Sequence, residues 1–203
     1  MKIICIGQNY KKHIEELGSQ YPDSPVFFLK PDSSILVNNK DFYLPDFSND
    51  LQYELEVIIR INRLGKHIQK KFAHRYYDCV GLGIDLTARD LQKKCKEKGL
   101  PWEIAKAFDG SAVISDFLPL EEVGEINNLD FRLLRNESVV QTGNTSDMIF
   151  DVDTIIEYVS MFLTLKIGDI IYTGTPAGVG KLEIGDRLQA FLGERKLIDM
   201  KIK

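Results

Sequence analysis

Three acidic side chains in two apolar segments have the types and spacing of a metal site. Glu54 and Glu56 lie two residues apart in Leu51–Ile61, where apolar and polar residues alternate as in a β-strand with one buried face. Same-face neighbours on a strand are about 7 Å apart, so the two carboxylates can approach one point. Carboxylates that close repel each other unless a positive charge lies between them. The alternative is a solvated strand face, since carboxylates are mostly exposed.

Asp85 adds a third acid near the end of a second apolar segment, Cys79–Leu86. On that predicted strand it shares a face with Gly81 and Gly83, and a glycine inside a strand often marks the close approach of a ligand or another backbone. Two glutamates and an aspartate form an oxygen-only ligand set that suits hard divalent cations. The three acids therefore predict a site for Mg²⁺, with Mn²⁺ or Ca²⁺ as the next choices.

A histidine and a glutamate near the N-terminus have the spacing of a proton-transfer pair. His13 and Glu16 are three residues apart in Gln8–Gly18, a segment that predicts a polar turn and one or two helical turns. Glu16 could accept the imidazole N–H and leave the other ring nitrogen to take a proton from water. A surface salt bridge is the alternative. Lys106, in the apolar and turn-rich segment Pro101–Gly110, is open to a structural or a functional interpretation.

The glycine-rich segment Gly174–Gly180 is not a nucleotide-binding P-loop, because it lacks the Gly-Lys-Ser/Thr ending that grips phosphates. Its backbone N–H groups and the Thr175 hydroxyl could instead bind a carboxylate or an oxyanion. A purely structural tight turn explains the same residues equally well.

The elements that must position these residues are many short strands with three or four helices between them. They do not alternate regularly as βαβ units, which favours an α+β fold, mainly β, with an antiparallel or mixed sheet. Leu129–Arg135 and Val139–Thr142 predict a hairpin. Helices are predicted in Lys66–Asp78, from a capping box at Thr87–Asp90 through Lys98, and from Asp153 or Thr154 through Lys166.

Composition narrows the classes of function. The 203 residues are 44% hydrophobic and 28% charged, as in an ordinary globular protein, and no linker or repeat divides them, so one domain spanning 1–203 is predicted. A net charge of -4 argues against nonspecific binding to nucleic acids. No apolar run is long enough to span a membrane. The three cysteines predict reduced thiols and a cytoplasmic location, with Cys5 and Cys79 in the core and Cys95 partly exposed.

Six motifs in the same order along the chain resemble the fumarylacetoacetate hydrolase family, and most closely its short, single-domain acylpyruvase and oxaloacetate decarboxylase branch. The motifs are Ile6–Tyr10 with His13 and Glu16, Phe28–Pro31, Tyr53–Glu56, Asp85–Gln92, Gly99–Trp102 with Lys106, and Thr173–Gly180 with Gly185–Asp186. The resemblance implies a mixed β-sandwich roll with a few peripheral helices that assembles as a homodimer. One departure is Gln8, where the family commonly has arginine; it keeps hydrogen-bonding capacity but loses the charge, which weakens the expectation of a carboxylate at the far end of the substrate.

The same resemblance assigns a role to each candidate residue. It implies that Glu54, Glu56 and Asp85 hold Mg²⁺, and that His13 and Glu16 activate water on a mobile lid within residues 1–25. The remaining assignments are Lys106 as a catalytic lysine beside the metal, and Gln8, Arg89, Gln92 and Thr175 as substrate-binding residues.

The function predicted from the sequence is metal-dependent hydrolysis of a C–C bond in 2,4-dioxo acids. Water deprotonated by His13 would attack C4, releasing a carboxylic acid and pyruvate, and the same site would also decarboxylate oxaloacetate. One alternative is an isomerase or decarboxylase of 2-hydroxyhepta-2,4-diene-1,7-dioate-type dioates. Another is a non-catalytic metal-binding β protein. The expected partner is a small 2-oxo acid, with no nucleic acid and no membrane.

Overall fold

Short β-strands make up most of the regular structure, as the sequence predicts. The computed structural model describes residues 1–18, 20–37 and 40–203. Their strands are β1 Ile3–Gly7, β2 Val26–Lys30, β3 Ile35–Val37, β4 Leu51–Tyr53, β5 Leu55–Ile61, β6 Tyr77–Asp85, β7 Thr87–Ala88, β8 Ala112–Ile114, β9 Leu118–Pro119, β10 Asp130–Arg135, β11 Ser138–Asn144, β12 Ile170–Tyr172, β13 Gly180–Lys181, β14 Arg187–Leu192 and β15 Arg195–Lys201. The α-helices are α1 Lys11–Glu16, α2 Lys70–Ala73, α3 Arg89–Lys98, α4 Glu103–Lys106, α5 Leu120–Val123 and α6 Val152–Phe162.

The largest sheet is mixed and follows the strand order β2-β1-β12-β5-β6-β8-β3, with β9 paired to the start of β6. Pairing is parallel between β1 and β12 and between β3 and β8, and antiparallel elsewhere in this sheet. Strands β11-β10-β14-β15 form a second sheet, and the short strands β13-β4-β7 form a third. The predicted mainly β, α+β fold with peripheral helices is therefore confirmed.

Apolar side chains join these sheets and helices. The largest cluster links β5 and β6 to β10, β14 and β15 and includes Leu82, Ile84 and Phe131. A second cluster uses Ile156 and Val159 of α6 to cover β1 and β5. Among the described residues, α6 is the longest helix at 11 residues, and none of the helices has both the length and the apolar character needed to cross a membrane.

The strand predicted over Leu51–Ile61 is interrupted at Glu54. β4 pairs with β7 and β13, whereas β5 pairs with β6 and β12, so the segment passes from one sheet to another. The prediction of one buried face is wrong, because β5 is central in its sheet and buries both faces. Ile58 on the second face packs with Tyr172, and Arg60 is the exposed residue of the strand.

The glycines of β6 make room for the protein's own side chains. A Cβ atom at Gly83 would overlap the ring of Tyr172, and one at Gly81 would lie 2.9 Å from Ser115 Oγ. The interpretation of these glycines as free space for a ligand beside Asp85 is therefore wrong: a buried aromatic ring fills the space. Asp85 nevertheless ends β6 as predicted.

Helix boundaries differ from the predictions in three places. Only α2, four residues long, forms within Lys66–Asp78. Thr87 does not cap α3, because it belongs to β7, and the N-cap residue is Ala88 without a side-chain cap. The side chain of Asp151 caps α6 by accepting a hydrogen bond from the Thr154 N–H, and the helix ends at Phe162.

The predicted hairpin and two of the three cysteine predictions are confirmed. β10 and β11 are joined by Asn136 and Glu137, whose φ angles of 50° and 68° suit a tight hairpin turn. Cys5 and Cys79 are buried, but so is Cys95, because its face of α3 is turned towards α4 and β7. Ser19, within the segment 1–25 predicted to carry a lid, lies outside the described residues.

Candidate metal and catalytic site

The three predicted acids converge at the junction of β4, β5 and β6. Glu56 lies opposite Gly83 in the β5–β6 ladder, and the Asp85 N–H donates to the Glu54 carbonyl at 2.8 Å, so backbone pairing holds the acids together. One carboxylate oxygen from each of the three lies within 4.8 Å of the others. All are buried, with exposures of 5% for Glu54, 2% for Glu56 and 1% for Asp85. The alternative of a solvated strand face is excluded.

Lys106 and Arg89 place positive charge against Glu54. Lys106 Nζ donates to Glu54 Oε2 at 2.7 Å, to Asp85 Oδ2 at 2.9 Å and to Thr87 Oγ1 at 2.6 Å. The Arg89 guanidinium donates to the other oxygen of Glu54. The Lys106 ammonium is 3% exposed, so its function in the structure is to neutralise the acids and not to interact with solvent.

Lys30 is a third cation of the site, and the sequence analysis missed it. Its ammonium lies 2.7 Å from Asp85 Oδ1 and donates to the carbonyls of Leu86 and Ser111. By its local pattern, the segment Lys30–Ser34 predicts a turn, because it contains a proline, an aspartate and two serines. Lys30 instead ends β2 with its side chain fully buried. The available signal was a lysine that directly continues the apolar run Val26–Leu29.

These charges move the pKa values of neighbouring acids in opposite directions. Burial disfavours the charged form of Glu54, but Lys106 and Arg89 outweigh it and lower the pKa of this carboxyl. Burial and then the charges of Asp85 and Glu54 raise the pKa of Glu56 well above its ordinary value, and its bond from the Gly174 N–H does not offset them. Among the described residues, therefore, no cation pairs with Glu56 as Lys106 and Arg89 pair with Glu54.

A hard divalent cation fits this set of donors. Asp85 Oδ1 is buried and accepts no hydrogen bond within the described chain, since its contact with Lys30 is an ion pair without hydrogen-bond geometry. It therefore keeps a lone pair for a cation. A divalent ion next to Glu56 would also supply the positive charge that this carboxylate lacks. Oxygen ligands alone favour Mg²⁺, Mn²⁺ or Ca²⁺ over softer metals.

His13 and Glu16 contact each other on α1, as their spacing predicts. His13 Nδ1 lies 3.2 Å from Glu16 Oε2, and Glu16 also accepts the Gly178 N–H at 3.1 Å. Burial lowers the pKa of His13, and the charge of Glu54 and the bond to Glu16 only partly oppose this. A neutral imidazole with one nitrogen fixed by Glu16 can accept a proton on the other. The pair lies within salt-bridge distance, but it is not a purely surface contact, because His13 is buried while Glu16 is exposed.

The structure brings nine of the ten predicted site residues to one cavity. Its walls include Gln8, His13, Glu54, Glu56, Asp85, Arg89, Gln92, Lys106 and Thr175. Glu16 reaches it through His13. Six wall residues were not predicted as site residues: Ile6, Gly7, Leu17, Phe28, Lys96 and Trp102.

The glycine loop and Thr175 bind the protein's own groups. The Gly174 N–H donates to Glu56 at 2.6 Å, and the Gly178 N–H donates to Glu16. The Thr175 hydroxyl donates to the Leu55 carbonyl at 2.8 Å, so it is already used by the fold. The carboxylates that the loop was predicted to bind are thus those of the site itself.

The cavity has about 40 Å³ of free space. That space is large enough for an ion with ordered water. His13 of α1 and Leu17, which directly follows α1, form part of the wall.

A mainly β fold with a buried, oxygen-only acid cluster and a histidine–glutamate pair defines a class of candidate metalloenzyme. Residues 2–203 match the family model described as fumarylacetoacetate (FAA) hydrolase C-terminal. The chain belongs to the fumarylacetoacetate hydrolase family, which confirms the resemblance drawn from its motifs.

Known proteins similar to this chain include enzymes with different reactions. "Oxaloacetate tautomerase FAHD1, mitochondrial" of Bos taurus is 40% identical over 201 residues, covering 99% of this chain and 90% of that protein. "Oxaloacetate decarboxylase, mitochondrial" of Dictyostelium discoideum is 40% identical over 185 residues, covering 91% and 85%. The crystal structure of fumarylpyruvate hydrolase from Pseudomonas aeruginosa with Mn²⁺ and pyruvate superposes with a TM-score of 0.94 at 32% identity, covering 100% of this chain and 89% of that one.

Proposed function

We propose that this protein is a divalent-metal-dependent enzyme that acts at C3 of small 2-oxo acids, with keto–enol tautomerisation of oxaloacetate as its main reaction. The observation that carries the proposal is the convergence of three buried carboxylates with Lys106 and the His13–Glu16 pair on one cavity. The sequence alone puts hydrolysis first. The names of the two relatives that are 40% identical favour oxaloacetate chemistry instead.

Glu54, Glu56 and Asp85 would hold the cation, which we propose to be Mg²⁺, with Mn²⁺ or Ca²⁺ as alternatives. A bound divalent cation would supply a Lewis acid that polarises the 2-oxo group of the substrate. Two of these ligands are held in place by ion pairs: Arg89 pairs with Glu54 and Lys30 pairs with Asp85.

His13 would move the proton between C3 and oxygen. Because burial lowers its pKa, the imidazole is neutral near pH 7 and can accept a proton from C3 while Glu16 holds the ring. As the C3–H bond breaks, its electron pair forms the C2–C3 double bond, and the 2-oxo oxygen gains the negative charge. The Lys106 ammonium would stabilise that charge, and return of the proton to this oxygen completes the enol. Gln8, Arg89, Gln92 and Thr175 would surround the substrate.

Hydrolysis of acylpyruvates is the second candidate, favoured by the likeness to a fumarylpyruvate hydrolase solved with pyruvate. Here His13 would deprotonate water instead of C3, hydroxide would attack C4, and cleavage of the C3–C4 bond would release a carboxylic acid and pyruvate. Isomerisation of unsaturated dioates would use the same proton transfer. A non-catalytic metal protein is disfavoured, because it would not require the His13–Glu16 pair on the same cavity.

Proton NMR and ultraviolet absorbance distinguish these reactions. Purified protein would be mixed with the enol form of oxaloacetate in Mg²⁺ and in excess EDTA, beside enzyme-free controls that measure the spontaneous reaction. We expect metal-dependent loss of enol absorbance before pyruvate accumulates. Acetate and pyruvate from acetylpyruvate would instead support hydrolysis. If Mg²⁺ is bound but none of oxaloacetate, acetylpyruvate or an unsaturated dioate is converted faster than in the controls, the proposed function is wrong.

We further propose that a lid within residues 1–25 opens to admit substrate, and that the domain 1–203 works as a homodimer. The edge position of β2 among the described strands supports dimerisation, because this strand presents the exposed apolar side chains Val26 and Leu29 beside Leu100. Sedimentation should show twice the chain mass of 23.2 kDa, and a single 23.2 kDa species would exclude the dimer.

A cytoplasmic location stays a prediction. It is consistent with Cys5, Cys79 and Cys95 all being free thiols. The printed names of two relatives assign those proteins to mitochondria. Fractionation of the source cells would decide between the compartments.

A further inference from the structure

Lys96 differs from the other cationic side chains that line the cavity. Lys106 forms ion pairs with Glu54 and Asp85, and Arg89 forms one with Glu54. Lys96 also lines the cavity, but it forms no ion pair with a carboxylate in the described ranges 1–18, 20–37 and 40–203. Because no acid in the part of the chain that the structure describes pairs with it, its ammonium can pair with an anion that enters the cavity.

Helix α3 and Trp102 fix the position of this ammonium. Arg89, Gln92 and Lys96 occupy positions i, i+3 and i+7 of α3 and therefore share the face that lines the cavity. Lys96 Nζ lies 5.3 Å from the centre of the Trp102 ring, a cation–π distance. The ring is itself packed against Phe28 at 5.8 Å. The aromatic contact holds the ammonium without using its three hydrogen-bond donors.

The charges around Lys96 at the cavity wall are mostly positive. Lys96 is an exposed residue whose pKa is lowered by partial desolvation and further by the charges of Arg89 and Lys106, while Glu54 only partly opposes them. A cation held among like charges gains most from an incoming anion. Arg89, which pairs with Glu54, and Lys96 are seven residues apart on α3, about 10 Å along the helix axis. Lys96 is therefore displaced along the helix from the residue that contacts the acids, an arrangement that suits a molecule charged at both ends.

We propose that Lys96, held on Trp102, binds the second carboxylate of a dicarboxylic 2-oxo acid, at the end of the substrate remote from the Glu54, Glu56 and Asp85 cluster. The inference rests on the proposed function and adds a specificity-determining residue to it. Gln8 carries no charge with which to fill this role. Substrates that end in a carboxylate should therefore bind better than substrates that end in an alkyl group.

The test uses Lys96→Gln, with Lys98→Gln as the matched control, because Lys98 is an exposed lysine of the same helix that does not line the cavity. Trp102 is the single tryptophan of the chain, so its fluorescence reports binding beside Lys96. The probes are 3,3-difluoro-oxaloacetate, which has no C3 hydrogen and cannot enolise, and pyruvate, which lacks the second carboxylate. Both are titrated in Mg²⁺.

We expect wild type and Lys98→Gln to bind difluoro-oxaloacetate at least tenfold more tightly than pyruvate. A tenfold difference in affinity is about what one hydrogen bond to a charged group contributes. In Lys96→Gln the preference for difluoro-oxaloacetate over pyruvate should fall about tenfold, and KM for oxaloacetate should rise by a similar factor. Lys96→Arg should restore most of the preference and bring KM most of the way back to the wild-type value. A preference unchanged in Lys96→Gln would overturn the inference, whatever reaction the enzyme performs. If wild type converts none of the substrates but Lys96→Gln still loses the preference, the binding site stands and the proposed function fails.

Discussion

Glu54 and Glu56 are two residues apart yet have opposite charge environments, and replacing each with glutamine should separate them. Lys106 and Arg89 pair with Glu54 and lower its pKa in spite of burial. Glu56 accepts the Gly174 N–H but has no cationic partner in the described chain, and burial with two neighbouring acids raises its pKa. In metal-free protein the first carboxylate should stabilise the fold and the second should destabilise it.

The expected magnitudes follow from these contacts. Glu54→Gln removes a partner from the buried Lys106 and the partly buried Arg89, and breaking a buried ion pair costs about 3–5 kcal/mol. For a chain of 203 residues this corresponds to a melting temperature lower by roughly 6–20 °C, at about 2–4 °C per kcal/mol. Glu56→Gln removes a charge that the fold disfavours, and its neutral amide can still accept the Gly174 N–H. Its melting temperature should equal or exceed that of wild type.

The pH dependence of the Glu56 effect has a definite sign. A carboxyl whose pKa is higher in the folded state does not lower the free energy of unfolding at a pH below its unfolded pKa, near 4.3, because both states then hold the proton. The cost grows as the pH rises above that value, by about 1.4 kcal/mol for each pH unit up to the folded pKa. The advantage of Glu56→Gln should therefore be present at pH 7 and shrink as the pH falls towards 4.

Scanning calorimetry in EDTA and in excess Mg²⁺ measures both effects. At a Mg²⁺ concentration one hundred times its Kd, wild type should gain about 2.7 kcal/mol of unfolding free energy. Neither variant should gain as much, since each lacks one proposed ligand. If Glu56→Gln in EDTA is destabilised as much as Glu54→Gln, the assignment of paired and unpaired carboxylates is wrong.

Two further predictions concern the histidine and a glycine. Because burial lowers the pKa of His13 below its ordinary 6.5, the fall of kcat/KM for oxaloacetate at low pH should be centred below pH 6.5. Glu16→Gln removes a hydrogen bond that raises this pKa, so it should move the fall to still lower pH. A fall centred above pH 6.5 would contradict the role of His13 as a base. Gly83→Ala should overpack the core against Tyr172, costing about 1–3 kcal/mol in calorimetry. Its Mg²⁺ affinity by titration should stay at the wild-type value, and a large loss of affinity would restore the interpretation of Gly83 as ligand space.

The sequence predicts those parts of the site that depend on local pattern. Strand periodicity places Glu56 and Asp85 at the correct strand positions, and helical spacing pairs His13 with Glu16. The break at Glu54 could not be foreseen, because apolar alternation continues through it while the chain moves to another sheet. Such a change of sheet is set by the pairing partners and not by the alternating residues.

Lys30 and Thr87 show what non-local contacts add. A lysine followed by proline predicts a turn, and only the contact with Asp85, 55 positions further on, explains why Lys30 is buried. Thr87 fits a capping box by sequence, but its hydroxyl instead accepts a hydrogen bond from Lys106. Both misassignments involve polar groups whose partners are distant in sequence, so local propensity carries no information about them.

The glycine loop connects the proposed lid to the proposed metal ligands, and its two bonds can respond differently when substrate enters. The strand walls cannot move without breaking ladder hydrogen bonds, whereas α1 is anchored to the loop through the Gly178 N–H and Glu16 at 3.1 and 3.3 Å. Opening α1 would break those exposed contacts. The shorter bond from the Gly174 N–H to Glu56, 2.6 Å and buried, belongs to the other end of the loop. The loop can therefore release the His13–Glu16 pair from the cavity wall while it keeps the acid cluster assembled.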